Sequence, residues 1–161
     1  MIQRVQTVYL ALVLIFSFVG LMTTMGEWTF NGDVVADFSN FSFNSYGPLN
    51  QFQSYGPFCM GILLIVVMFL TLMSIMLFRK RLRQLRLTII STILMVGYVL
   101  SYACFAYKFD LMLQEISPDM ELKFHLPFLA VLPILSIFLN VLAIIGIRKD
   151  EALVRSLDRL R

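Results

Sequence analysis

No aspartate, glutamate, histidine, lysine or arginine interrupts the four longest apolar runs of this chain, which extend from Val5 to Met25, Phe58 to Phe78, Leu87 to Tyr107 and Leu126 to Ile147. Ion-coupled pumps and transporters ordinarily carry a carboxylate, histidine or base inside their spans to move the proton or ion, so this absence counts strongly against that class. There is a single histidine, His125, with no cysteine or second histidine beside it, and Asp119 and Glu121 offer no convergent ligand spacing, which argues against a metal centre. The sequence holds no Cys-x-x-Cys, no His-x-x-x-His, no glycine-rich phosphate loop and no Gly-x-Ser-x-Gly, so no cofactor site can be read from it. An enzyme would have to assemble its polar groups from loop residues such as Asp110, Glu115, Asp119, Glu121 and His125.

What is present is apolar mass. Hydrophobic residues make up 59% of the chain and the mean hydropathy is +0.82, more apolar surface than 161 residues could cover in a soluble domain. Each run is close to the roughly 20 residues that cross about 30 Å of hydrocarbon as a helix. The fold class that follows is an all-α integral membrane protein, a four-helix transmembrane bundle forming a single membrane domain over 1–161. The first run imitates a signal peptide because Arg4 precedes it, but it continues to Met25, lacks a convincing small-x-small cleavage site and is followed by three more spans.

Orientation follows from the basic residues of the short loops. Arg4 precedes the first run; Arg79, Lys80, Arg81, Arg83 and Arg86 separate the second from the third; Arg148, Lys149, Arg155, Arg159 and Arg161 follow the fourth. These are 11 of the 13 lysines and arginines, and only Lys108 and Lys123 lie opposite. The positive-inside bias therefore places both termini in the cytoplasm and the two longer loops outside. The acids run the other way, with Asp150, Glu151 and Asp158 alone on the cytoplasmic side.

The loop 26–57 is large enough to fold. Glu27-Trp28-Thr29-Phe30 precedes Asn31-Gly32, a dipeptide favouring a type I′ hairpin turn, and Val34-Val35 follows. Phe38 to Phe43 reads as a further strand with Phe41 and Phe43 on one face and Phe38 out of phase. A small periplasmic β-hairpin or sheet between the first and second helices is expected, covering the helix ends because a bare hairpin is marginal. Nine aromatics between Trp28 and Phe58 would serve as a belt and sheet core, or as a docking face for a partner or an apolar ligand. In the second loop, Leu111-Met112-Leu113 and Ile116 suggest a turn or two of interfacial helix ending at Ser117-Pro118.

Within the runs, Asn140 is the one amide well inside and is expected to form an interhelical hydrogen bond. Pro133 is expected to kink or loosen the fourth helix. Gly97 and Ser101 make a small-xxx-small pair. Cys59 and Cys104 lie at similar depths near the outer ends of antiparallel helices, so a disulfide between them is chemically allowed in an oxidising compartment, while burial as free thiols is the competing reading.

The cytoplasmic side is the more ordered chemically. Leu153, Leu157 and Leu160 recur at helical spacing in the tail 148–161, and Glu151 stands four residues before Arg155, describing an amphipathic segment that faces the membrane or the basic connector. Gln3, Arg4, the connector Arg79 to Arg86 and the tail then form one interaction surface. Its partners would be anionic headgroups of membrane lipids, at about 1 kcal/mol per near-surface cation, or an acidic segment of another membrane protein. Scattered topology-setting cations make no groove-reading element, so nucleic acid is not an expected partner.

The opening Met1-Ile2-Gln3-Arg4-Val5-Gln6-Thr7-Val8-Tyr9-Leu10, the connector Arg79-Lys80-Arg81 and the ending from Ile147-Arg148-Lys149-Asp150-Glu151 through Leu157-Asp158-Arg159-Leu160-Arg161 resemble a family of Bacteroidota membrane proteins, the domain of unknown function family 4293. The resemblance covers essentially the whole chain. It implies an inner-membrane four-helix protein of a Gram-negative bacterium, with Gln3, Arg4 and the C-terminal segment at the cytoplasmic edge, and it implies no catalytic residue. Three function classes follow: a structural, accessory or partner-binding membrane subunit; a small-molecule or lipid transporter or binder within the bundle; and an envelope enzyme using outer-loop acids.

Overall fold

The computed structural model describes residues 2–47, 56–78, 80–118 and 120–158, with side chains described for 5–47, 56–78, 80–118 and 120–154. Among the described residues there are four α-helices: α1 (Ile2–Met22), α2 (Phe58–Met76), α3 (Arg81–Ile116) and α4 (Leu132–Asp158). All four are long and apolar enough to cross a membrane. Each packs on two neighbours, α1 on α2 and α4, and α3 on α2 and α4, so the bundle is four-square. Four strands, β1 (Thr24–Phe30), β2 (Asp33–Ser39), β3 (Phe43–Ser45) and β4 (Lys123–His125), form an antiparallel sheet in the order β3-β2-β1-β4. The sheet caps one end of the bundle, and the first residues of α1 and the last of α4 meet at the other.

Asn31 and Gly32 both adopt positive φ, 54° and 96°, as the expected hairpin turn requires. The strand expected from Phe38 to Phe43 is instead two strands. The chain reverses at Asn40-Phe41-Ser42, clamped by Ser39 N–H donating to Ser42 O at 2.8 Å, and Phe38 then pairs with Phe43 across the sheet. This is why Phe38 looked out of phase: both rings are fully buried, on different strands. The fourth strand was not anticipated, since it comes from the second loop and pairs Trp28 with Phe124.

Helix α3 has 36 residues, about 54 Å at about 1.5 Å per residue, against about 30 Å of hydrocarbon. The helix runs beyond its apolar stretch, Leu87 to Tyr107, at both ends. Near the sheet it absorbs the Leu111-Met112-Leu113 segment, which is a continuation of α3 and not a separate interfacial helix. The sheet packs on this extension: Phe43 stacks on Phe109 at 4.3 Å, and Trp28 Nε1–H donates to Asp110 Oδ1 at 3.0 Å. Trp28, Phe38 and Phe43 are therefore sheet core, leaving no exposed docking face among them. Pro133 is the second residue of α4 and follows a 3-10 turn, Phe128–Val131. A first-turn proline sacrifices no helical hydrogen bond, so the loosening expected there precedes the helix and does not kink it.

Asn40 joins sheet to bundle. It is fully buried; its Nδ2 donates to Gly20 O of α1 at 2.7 Å, its Oδ1 accepts from Tyr98 Oη of α3 at 2.7 Å, and its carbonyl accepts from Gly61 N–H of α2 at 3.0 Å. One short polar residue thus ties three helices together at the foot of the sheet.

Candidate functional site

At the end opposite the sheet, the link between α2 and α3 is only a few residues long. Lys80 N–H closes a turn on Leu77 O at 2.8 Å, and Arg83 and Gln84 N–H both donate to Lys80 O, so α3 is helical from Arg81 onward. The basic connector is therefore mostly helix, and its cations stand at fixed angles instead of trailing from a loop. Helix α4 continues without a break past Ile147 to Asp158, as the amphipathic tail requires, which brings its last turns beside the first turns of α3.

Between them lies an open groove of about 790 Å³, lined by Lys80, Arg81, Leu82, Arg83, Arg86, Glu151 and Val154. Glu151 and Val154 are three apart, on one face of α4. Four cations face one acid across a wall that also carries two apolar residues. Lys80, Arg83 and Arg86 are exposed to solvent and Arg81 is half-buried. Arg81 is held in place by a guanidinium hydrogen bond to Asp150 O at 2.9 Å.

The Asp150 side chain turns the other way, into the bundle. It is buried, and its Oδ2 accepts from Gln6 Nε2 on α1 at 2.8 Å. Gly146 makes room for this, because a Cβ there would stand 2.9 Å from Gln6 Cγ. Arg81, Asp150 and Gln6 thus fasten α3, α4 and α1 to one another beneath the groove. Neither Gln6 nor Asp150 stood out as a binding residue in the sequence. The available signal was a glutamine at the second position of one apolar run and an aspartate three residues beyond another.

Of the expected interaction surface, Lys80, Arg81, Arg83 and Arg86 line the groove together with Glu151. Arg148 and Lys149 are exposed on α4 and are not among the lining residues, and Leu153 is exposed nearby. Arg79, Arg159, Arg161 and Leu160, and the side chains of Gln3, Arg4, Arg155, Leu157 and Asp158, lie outside the described residues.

Of the two readings open for Cys59 and Cys104, the structure has them as free thiols, and exposed where that reading had them buried. Equal depth is insufficient for a bond, since the Cβ vectors must also converge. Cys59 falls just off the buried stripe Met60, Gly61, Leu64 and Val67, and both thiols face away from the bundle. Asn140 is fully buried as foreseen, yet neither its Nδ2 nor its Oδ1 has a hydrogen-bond partner, so the interhelical bond expected of it is not formed. Leu10 and Val13, fully buried on α1, carry no polar atom that could serve as its partner. His125 lies exposed in β4, and among the described residues no three histidine, cysteine, aspartate or glutamate side chains gather as a metal would need.

A groove that presents several guanidinium and ammonium groups beside aliphatic side chains suits a ligand with an anionic head and an apolar body. None of the curated proteins matches this chain. The family model described as Domain of unknown function (DUF4293) matches residues 2–160, and the chain belongs to that family.

Proposed function

We propose that this chain is a multi-pass protein of a bacterial inner membrane with both termini in the cytoplasm, acting as an accessory subunit that holds an anionic phospholipid in the groove between α3 and α4. The orientation rests on the 11 cations that the loop count assigns to one side. The ligand class rests on one observation above all: Lys80, Arg81, Arg83 and Arg86 converge with Leu82 and Val154 around a single opening of about 790 Å³. Phosphate oxygens would meet the cations, and the start of an acyl chain would lie along Leu82, Val154 and the exposed Leu153. Basic pockets between helices at the cytoplasmic face commonly take such headgroups.

Binding within the bundle is the weaker reading. The cavity lined by Met25, Tyr98, Tyr102, Leu126, Ala130 and Pro133 holds about 50 Å³, far below the roughly 300 Å³ at which ligand pockets begin.

The test is lipid retention. Purified protein is reconstituted in zwitterionic nanodiscs and titrated with phosphatidylglycerol, with Arg83→Gln, Arg86→Gln and the double variant in parallel. Each substitution should weaken binding about fivefold, the equivalent of about 1 kcal/mol per cation, and the salt dependence should flatten with each charge removed. Equal binding by wild type and double variant sinks the assignment.

A further inference from the structure

The groove between α3 and α4 carries more charge than a lipid with one phosphate can answer. Its lining holds four cations, Lys80, Arg81, Arg83 and Arg86, and one acid, Glu151, so four minus one leaves a net +3. Asp150, next in sequence to Glu151, does not offset them, because its carboxylate turns into the bundle and accepts from Gln6 Nε2. Helix α3 begins at this opening with no acidic residue in its first turn, so the positive end of the helix adds to the same field.

The cations also fall into two sets. Successive residues of a helix turn by about 100°, so Arg83 and Arg86 stand about 60° apart, whereas Arg81 is about 160° from the first and about 140° from the second. Arg81 is held from swinging round to join them, since its Nη1 donates to Asp150 O on α4 at 2.9 Å. That bond uses one of the five N–H donors of a guanidinium. Lys80, the residue before the helix, stands between the two sets at its end. The opening they share, about 790 Å³, lies well within the roughly 300–1,000 Å³ of ligand sites.

We propose that the groove takes a lipid with two phosphodiesters joined by a short polar linker, a cardiolipin-type lipid, with one phosphate at Arg81 and the other between Arg83 and Arg86. This deepens the anionic-phospholipid assignment and rests on it. The planar fork of an arginine matches the two non-ester oxygens of one phosphodiester, so each set of arginines engages one phosphate, and Lys80 stands over the linker. Leu82, between Arg81 and Arg83 in the chain, and Val154 on α4 give the acyl chains an apolar wall, which favours a lipid over a soluble diphosphate. Joining the phosphates makes the second contact intramolecular, and the gain over two separate lipids is one of effective concentration.

The experiment uses the full chain in zwitterionic nanodiscs, titrated in parallel with cardiolipin and with phosphatidylglycerol at equal phosphate. Cardiolipin should bind about tenfold tighter per phosphate. Arg81→Gln should cut that preference about fivefold, while Arg148→Gln, which removes an exposed cation of α4 outside the lining, should leave it unchanged. Inorganic pyrophosphate at equal concentration should leave cardiolipin bound. Equal affinity per phosphate for the two lipids in wild type would overturn the two-phosphate proposal and leave the simpler phospholipid assignment standing, whereas binding of neither lipid removes both. That comparison needs no variant, so it decides even where Arg81→Gln does not fold. An equal loss of preference in Arg81→Gln and Arg148→Gln, or displacement of cardiolipin by pyrophosphate, would also overturn the proposal.

Discussion

Asn40 offers the sharpest test of how the sheet is fixed to the helices. Asn40→Ala deletes two side-chain hydrogen bonds, both of 2.7 Å, and leaves the Gly20 carbonyl and the Tyr98 hydroxyl behind in a buried site. Stranding a buried polar group costs about 1–3 kcal/mol. Both groups keep a weaker partner: Gly20 O still accepts from Thr23 Oγ1 at 3.2 Å, and Tyr98 Oη still reaches Met25 Sδ at 3.6 Å. That places the expected loss near the lower half of the summed range, about 2–4 kcal/mol. For a chain of this length it corresponds to a fall of about 5–15 °C in the unfolding midpoint.

The assay is built into the molecule. Trp28 is the only tryptophan, is fully buried, and donates its indole N–H to Asp110 on the α3 extension. Its emission therefore reports whether the sheet remains seated on α3, and thermal melts in detergent can be followed by the red shift on exposure. Tyr98→Phe removes the donor to Asn40 Oδ1 without opening a cavity, so it should cost less than Asn40→Ala. The double variant should cost less than the two single losses combined, because the same bond is broken in both. A midpoint for Asn40→Ala within about 1 °C of wild type, or strict additivity with Tyr98→Phe, would refute the view that this residue is the staple.

Two further outcomes follow from packing and exposure. A Cβ on Gly61 would overlap the ring of Phe41, which also packs on Phe58 at 5.7 Å, so Gly61→Ala should destabilise by about 1–3 kcal/mol, read from the same Trp28 melts. Unreduced protein denatured in the presence of a maleimide should take up two labels per chain, since Cys59 and Cys104 are free, and prior treatment with reductant should not raise that number.

Much of the fold was legible because it depends on local rules. The apolar runs mark the helices, and Asn31-Gly32 marks the hairpin, since its backbone angles are demanded by the turn itself. What was not legible depends on residues far apart in the chain. Strand β4 spans three residues with no alternation of its own, and it exists because Trp28 and Thr29, some 94 positions from Lys123, supply the pairing edge. Whether Cys59 and Cys104 could be bonded was left open by the sequence for a related reason. Depth follows from counting along a helix, but azimuth depends on which stripe the neighbouring helices bury, and one position is about 100° of rotation.

The groove was half legible. The cations could be counted and assigned to one end, but their convergence needs the connector to be helical and α4 to continue beyond Ile147. The bond from Gln6 to Asp150 spans 144 positions and rests on the relative register of the first and last helices. No local pattern carries that information.

The interior polar residues show why composition alone could not rank them. On the α2–α3 face, Thr71 meets Ser91 at 3.1 Å and Ser74 meets Thr88 at 2.8 Å, and Thr71 and Thr88 also reach the carbonyls of Val67 and Gln84 one turn back. Hydroxyls are short and can satisfy themselves on their own helix, so such a ladder tolerates small changes of register and fastens the pair wherever the residues fall. The Asn140 amide has more donors and acceptors to satisfy, and no local carbonyl serves both its ends, so both stay unpaired. The same low polarity that lets four helices pack through small residues therefore leaves this one buried amide without a partner.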